Sequence, residues 1–166
     1  GKYYLKALEL QPGADMYRRL ANFYRNNNDW ANANLYLEKL VETKPDNAEL
    51  AKVYQMIGKN YDELKNSKKM IEYYEKSLAI DRDPQLALVL AGYYNSQKNY
   101  AKVISYATMT LTVDTRNVDA LMLRGLAYYN SKPKNYAAAK ADLTRIQNDP
   151  KYGAQVKKIL QDPKMK

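Results

Sequence analysis

Apolar residues recur along this chain in short stripes at helical spacing, broken at intervals by polar turns. Tyr17, Leu20, Ala21 and Tyr24 stand at i, i+3, i+4 and i+7, which is one face of a helix. Asn26-Asn27-Asn28-Asp29 then reads as a turn, with Asp29 placed to cap the next helix. Trp30, Ala33, Leu37 and Leu40 line that second helix, and Pro45 closes the unit. Ala21 and Ala33 are small enough to let the two backbones approach to about 8–10 Å. The pattern predicts two short helices folded back on each other.

The same order returns downstream. Tyr54, Ile57, Gly58 and Tyr61 are followed by Ser67, Met70, Tyr74, Ser77 and Leu78, with a first helix expected to be one turn longer over 46–52. Ser67 and Met70 depart from the residue classes seen at those spacings in the first unit. Pro84 opens the third unit, which carries Ala87, Leu90, Ala91 and Tyr94, then Asn99, Tyr100, Val103, Ala107, Thr110 and Leu111, and closes on Thr115 instead of Pro. The fourth shows Leu121, Gly125 and Tyr128, then Asn135, Tyr136, Ala139, Leu143, Ile146 and Pro150, with Lys132-Pro133 enlarging its turn. Arg124 stands where the other units have Leu or Ile; its stem is expected to cover apolar surface while its charged head stays wet. The units begin at Ala14, Ala51, Pro84 and Val118, spaced 37, 33 and 34 residues apart.

This period and order of residue classes resemble the tetratricopeptide repeat. The resemblance covers residues 3–150 and implies an all-α, right-handed superhelical solenoid of antiparallel helix pairs, with about four full repeats. The expected divisions are a truncated repeat's second helix at 1–13, repeats at 14–47, 48–83, 84–117 and 118–150, and a capping helix and tail at 151–166. At the start, Tyr4, Leu5 and Leu8 form the leading stripe, read as the remnant of a truncated repeat in preference to a face that docks on another subunit. At the end, Tyr152, Val156, Ile159 and Leu160 share one face and Lys157 and Lys158 the other, the two-sided pattern a capping helix needs. The tail 162–166 is expected to be disordered.

Composition narrows the chemistry. The chain has neither Cys nor His, which removes disulfides, Ser-His and Cys-His nucleophile pairs and His-based zinc sites. Its six glycines are isolated, so there is no phosphate-cradling loop. Asp62 and Glu63, at i and i+1, point apart on a helix, and Glu72 with Glu75, at i and i+3 without a second strand of partners, reads as surface charge. No catalytic residue, metal site or cofactor is expected, and the chain reads as a non-enzyme. No apolar run approaches the roughly 18 residues that span a bilayer, and no signal peptide is visible, so a soluble protein is expected in a compartment the sequence does not indicate.

Repeats of this family build binding surfaces, so the resemblance implies a scaffold that holds a peptide or partner protein in the groove lined by the first helix of each pair. The residues left for that surface are Asp15, Arg18, Asn22 and Arg25, then Lys52, Gln55, Lys59 and Asp62, then Leu88, Gly92 and Asn95, and last Met122, Leu126 and Tyr129. They predict a surface running from polar and basic to apolar. A two-carboxylate clamp for chaperone tails is not expected: Arg18 and Asn22 fit its donor pattern, but Met56, Gln85 and Val89 do not.

Charge adds an alternative. The net charge of +9 is divided as +1 over residues 1–83 and +8 over 84–166. Lys132, Lys134, Lys140, Arg145, Lys151, Lys157 and Lys158 offer a basic patch for nucleic acid or an anionic membrane surface. The tyrosine doublets 3–4, 73–74, 93–94 and 128–129 read as packing residues before base-stacking ones, so nucleic acid is disfavoured while membrane-surface contact stays open. An oligomer formed through the exposed N-terminal helix also stays open.

Overall fold

Most helices here begin on a side chain that stands in for the missing backbone acceptor. In the computed structural model, which describes Lys6 and residues 12–165, nine α-helices succeed one another among the described residues. They are α1 Ala14–Asn26, α2 Trp30–Glu42, α3 Asn47–Glu63, α4 Ser67–Ile80, α5 Pro84–Ser96, α6 Tyr100–Val113, α7 Val118–Asn130, α8 Tyr136–Thr144 and α9 Gly153–Leu160. A 3₁₀ turn, Pro163–Met165, comes last. Asp29, Asp46, Asn66, Asp83, Asn99, Asn117 and Asn135 each accept a backbone N–H of the first turn of α2 to α8. Each such cap contributes about 1 kcal/mol, and Asp29 does what its place in the sequence suggests.

The turn between the two helices of a pair is built the same way three times. Asn28, Lys65 and Lys98 adopt left-handed backbone, at φ 58°, 57° and 56°. The next residue's N–H then reaches back to the carbonyl of Tyr24, Tyr61 or Tyr94, at 2.9, 2.9 and 3.0 Å. This closes the first helix and aims the chain back along it. In the fourth pair the loop is longer, yet Asn135 N–H still reaches the Tyr128 carbonyl at 3.0 Å.

The chain divides into two compact units, Gly1–Asp81 and Arg82–Lys166. In the first, α1 packs on α2, α2 on α3 and α3 on α4. Its core holds Leu20, Ala21, Tyr36, Leu37, Leu40, Val53 and Ile57. In the second, α5 to α8 pack in succession, α7 also meets α5, and α9 and the 3₁₀ turn pack on α8. The all-helical repeat class expected from the sequence is the one observed. The half repeat expected at 3–10 lies outside the described residues, Lys6 excepted.

Close approach is enforced by small residues. A Cβ on Gly58 would stand 2.4 Å from Tyr74 Cδ1, and one on Gly125 would stand 2.8 Å from Leu143 Cδ2. Ala21 and Ala91 occupy the same repeat position and are fully buried. Across the pairs, Ser77 Oγ donates to the Ala51 carbonyl and Thr110 Oγ1 to the Pro84 carbonyl, both at 2.9 Å and both 26 residues apart in sequence. Tyr24 stacks on Tyr36, Tyr61 on Tyr73 and Tyr94 on Tyr106, with centroids 5.5, 5.6 and 5.8 Å apart.

Two expectations need correction. Arg124 does not keep its head in water: Nε donates to Asp142 Oδ2 at 2.7 Å, Nη2 to Asp142 Oδ1 at 2.8 Å and Nη1 to Thr108 Oγ1 at 3.0 Å. Its side chain is 19% exposed and that of Asp142 only 6%. The reason is positional. Arg124 takes the place of Leu20, Ile57 and Leu90, while Asp142 takes that of Tyr36, Tyr73 and Tyr106, so an ion pair fills the space of an aliphatic and an aromatic side chain. The tail, in turn, is ordered through Met165. Met165 is 2% exposed within the core of the second unit, and Asp162 accepts a hydrogen bond from Tyr129 Oη.

Gly58→Leu should overpack the α3–α4 contact and cost about 1–3 kcal/mol, read by chemical denaturation; an unchanged midpoint would contradict the contact with Tyr74. Asp142→Ala strands a buried guanidinium and should cost about 3–5 kcal/mol. The double change Arg124→Leu with Asp142→Tyr restores the residues of the other repeats and should recover most of that loss. Strictly additive single and double changes would show that the two positions do not act as a pair.

Candidate binding site

Helices α1 and α3 turn polar residues outward above a floor supplied by α2. A cavity of 210 Å³ opens there, lined by Arg18 and Asn22 of α1, Leu37 and Leu40 of α2, and Glu49, Lys52, Val53 and Met56 of α3. Leu37, Leu40 and Val53 are buried, Met56 is half-buried, and Asn22 and Lys52 are exposed. The result is an apolar bottom with a polar rim, the usual constitution of a site for a side chain or short segment.

The rim charges are not equivalent. Arg18 donates from Nε and Nη2 to Glu49 Oε1, at 2.9 and 2.6 Å, and from Nη1 to Asp15 Oδ1 at 3.3 Å. Its charge is therefore largely answered within the unit. Lys52 has no such partner among the described residues, so its ammonium is the cation available to a ligand. Glu49 was not among the residues nominated from sequence. The longer α3 supplies it: one extra turn at the start puts Glu49 one turn before Lys52 and Val53, on the same face.

The remaining nominated residues fare differently. Arg25 is half-buried and donates from Nε to Asn60 Oδ1 at 3.2 Å; Asn60 in turn donates to Asn34 Oδ1 at 2.8 Å. Asn60 and Asn34 are 1% and 4% exposed, so Arg25 anchors a buried polar chain. Gln55 is half-buried and Lys59 exposed, and neither lines the cavity. In the second unit, Asn95 is half-buried. Met122 is 4% exposed, a correction to its expected place on a binding surface: α7 is flanked by α5 as well as by α6 and α8, and this residue joins the core. Leu88, Leu126 and Tyr129 are partly buried against that same core. The apolar end expected of the surface is thus largely consumed by packing within the unit.

The basic residues are also partly engaged. Lys151 Nζ donates to Asp119 Oδ1 at 2.7 Å and lies 4.7 Å from the Tyr152 ring centroid. Arg145 Nη2 donates to the Thr115 carbonyl. Lys134 lies over the rings of Tyr129 and Tyr136, at 5.5 and 5.7 Å. Lys132, Lys140, Lys157 and Lys158 are exposed. Three of the seven positions thus already have partners, which lowers what the patch can offer to phosphate. Among the described residues no cluster of three or more acidic side chains is arranged to hold a metal ion, and no helix is long and apolar enough to cross a membrane.

Residues 51–84 match the family model of the tetratricopeptide repeat. Among solved structures, YrrB, described as a tetratricopeptide-repeat protein with an unusual peptide-binding site, aligns with a TM-score of 0.65 at 20% identity, over 95% of this chain and 81% of its own. Two structures of MamA align with a TM-score of 0.63, at 20% identity over 93% of this chain and 82% of theirs, and at 19% over 92% and 87%. The curated proteins include no significant match.

Acid should loosen the C-terminal end of the second unit. Hydrogen bonds from Lys151 and then Tyr152 hold Asp119 below its usual range, and those from Tyr129 and the Lys164 N–H do the same for Asp162. A carboxyl depressed on folding adds stability that is present above its unfolded value, about pH 3.9, and is lost as pH falls through the folded one. Asp119→Asn should therefore melt lower than the parent near neutral pH and show a smaller further drop at about pH 3, followed by far-UV circular dichroism. An equal drop would remove Asp119 from the acid-sensitive groups.

Proposed function

We propose that this chain, a tetratricopeptide-repeat protein by its matched repeat and by its fold, is a non-enzymatic scaffold that binds a peptide segment of a partner protein in the cleft between α1 and α3. The observation that carries the reading is the 210 Å³ cavity, which gathers Arg18, Asn22 and Lys52 around the buried side chains of Leu37, Leu40 and Val53. That a solved relative in fold is described as having a peptide-binding site is in keeping with it.

The chemistry of the cleft states what it would select. Its floor takes one aliphatic side chain, against which the flexible Met56 can adjust. With Arg18 tied to Glu49, the unpaired cation is Lys52, which favours an acidic residue near the aliphatic anchor. Asn22, exposed and with both a donor and an acceptor, suits a peptide bond. The contact would be small, so its affinity would be modest and the partner would need further contacts for tight binding.

Peptides selected by display against the intact chain supply the test. Lys52→Gln, at an exposed position, should weaken the selected peptides by about tenfold or more, near 1.4 kcal/mol, while leaving the melting temperature unchanged; Met56→Gln, at a half-buried position packed on the core, should weaken them likewise with a lowered melting temperature. Arg18 is a poor choice for this purpose, since reversing its charge would set it against Glu49 and Asp15. If both variants bind the same peptides with parental affinity, the cleft is not the site.

A further inference from the structure

The unbalanced positive charge of the second unit is gathered toward one end. The turn joining α5 to α6 and the loop joining α7 to α8 meet there around a cavity of 540 Å³, with Lys98, Tyr100, Ala101, Ile104 and Lys132 in its lining. Lys98 and Lys132 are exposed, Tyr100 and Ile104 half-buried. Lys102 stands over the rings of Tyr94 and Tyr106, at 4.9 and 5.8 Å, and Lys134 over those of Tyr129 and Tyr136. A ring holds an ammonium without cancelling its charge. Lys164 completes the group beside Asp162, which accepts its N–H at 3.0 Å and the hydroxyl of Tyr129.

Carboxylates are nearly absent from this end. Residues 84–113 and 120–141 contain neither Asp nor Glu, and no carboxylate lines the cavity. Among the described residues of the second unit, Asp162, within electrostatic reach of Lys134, is the one acid here to set against the five lysines. The opposite end is balanced. Where the turn before α7 meets the end of α8, Arg82, Arg116, Arg145 and Lys151 are matched in number by Asp83, Asp114, Asp119 and Asp149, and Lys151 pairs with Asp119 at 2.7 Å. The two ends also differ in kind: lysines at the first, chiefly arginines at the second.

We propose that this end of the second unit docks on an anionic lipid bilayer, with one phosphorylated headgroup seated in the cavity between Lys98 and Lys132. Lysine carries a compact charge on a flexible stem, which suits attraction to a field of phosphates more than fixed pairing with one partner. Tyr100 and Ile104 give the headgroup an apolar wall, and tyrosine is favoured at that depth of a bilayer. A nucleic acid fits less well. Tyr94 is already stacked on Tyr106, and Tyr129 meets Tyr136 edge to face, so the rings that bases would need are engaged. The contact is peripheral, since no helix among the described residues is long and apolar enough to cross a membrane. The assignment does not rest on the cleft between α1 and α3.

Co-sedimentation of the full chain with vesicles provides the test. Phosphatidylcholine vesicles containing phosphatidylglycerol should bind it at low ionic strength and release it as salt is raised, and pure phosphatidylcholine should not bind it. Lys98→Asn together with Lys132→Gln should lower partitioning by about twentyfold, at roughly fivefold for each lysine. Neither change should lower the melting temperature: both sites are exposed, and Asn28 already adopts the backbone of Lys98 in the first pair. Arg82→Gln with Arg116→Gln removes the same charge from the balanced end and should leave binding at the parental level. Equal loss in the two double variants would overturn the proposal, as would the absence of binding at low salt or equal binding to both kinds of vesicle. Tighter binding of a single-stranded oligonucleotide than of anionic vesicles would overturn it in favour of nucleic acid. Short-chain phosphatidylglycerol should shift amide resonances of residues 97–104 and 131–132, and shifts that spare them would remove the headgroup from the cavity.

Discussion

The distance between the two helices of a pair is the constraint on which the rest of this structure depends. At Gly58 and Gly125 the backbones come so close that a single added carbon would meet Tyr74 or Leu143, and Ala21 and Ala91 fill the same role in the other pairs with full burial. Once two helices lie at that distance, the chain must reverse within a very short loop. The loop does so by placing Asn28, Lys65 or Lys98 in left-handed backbone and starting the next helix at once on a side-chain cap. Asparagine adopts that conformation with some ease; lysine does so at a cost that the surrounding hydrogen bonds must offset.

Within this frame the fourth pair solves the packing problem differently. Where the others set a leucine or isoleucine and a stacked tyrosine, it sets Arg124 against Asp142, nearly closed to solvent and joined by two short hydrogen bonds. Such a pair is of little value as a source of net stability, because its desolvation offsets most of the attraction, but each member makes the other indispensable. The exchange had to be double. The same unit is closed by α9 and by Met165; Met122 is buried in its core, and Leu88 and Leu126 pack against it partly buried.

Much of the architecture was legible from periodicity. Stripes at i, i+3, i+4 and i+7, Asp29 as a cap, and a capping helix with Val156 inward all follow from which residues must avoid water and which backbone groups need partners. The binding cleft was half legible. Arg18, Asn22 and Lys52 were visible as unused outward positions, but Glu49, which neutralises Arg18, was not, because an ion pair between α1 and α3 joins residues 31 apart in sequence. Nor did the sequence show that Arg25 turns inward to Asn60 and Asn34, since a polar residue's orientation depends on what lies opposite it.

Between residues 14 and 160, the sequence by itself determined the number, phase and pairing of the helices, for these rest on local rules: helical period, caps, turn residues and the need for a small side chain at each crossing. Tertiary structure decided which outward residues remain available. Arg124 and Asp142 find each other across 18 residues, Tyr129 and Asp162 across 33, and Met122 is covered by neighbours that no local window contains. A side chain's burial and its partner belong to the space between elements, and that space exists only after the helices have packed.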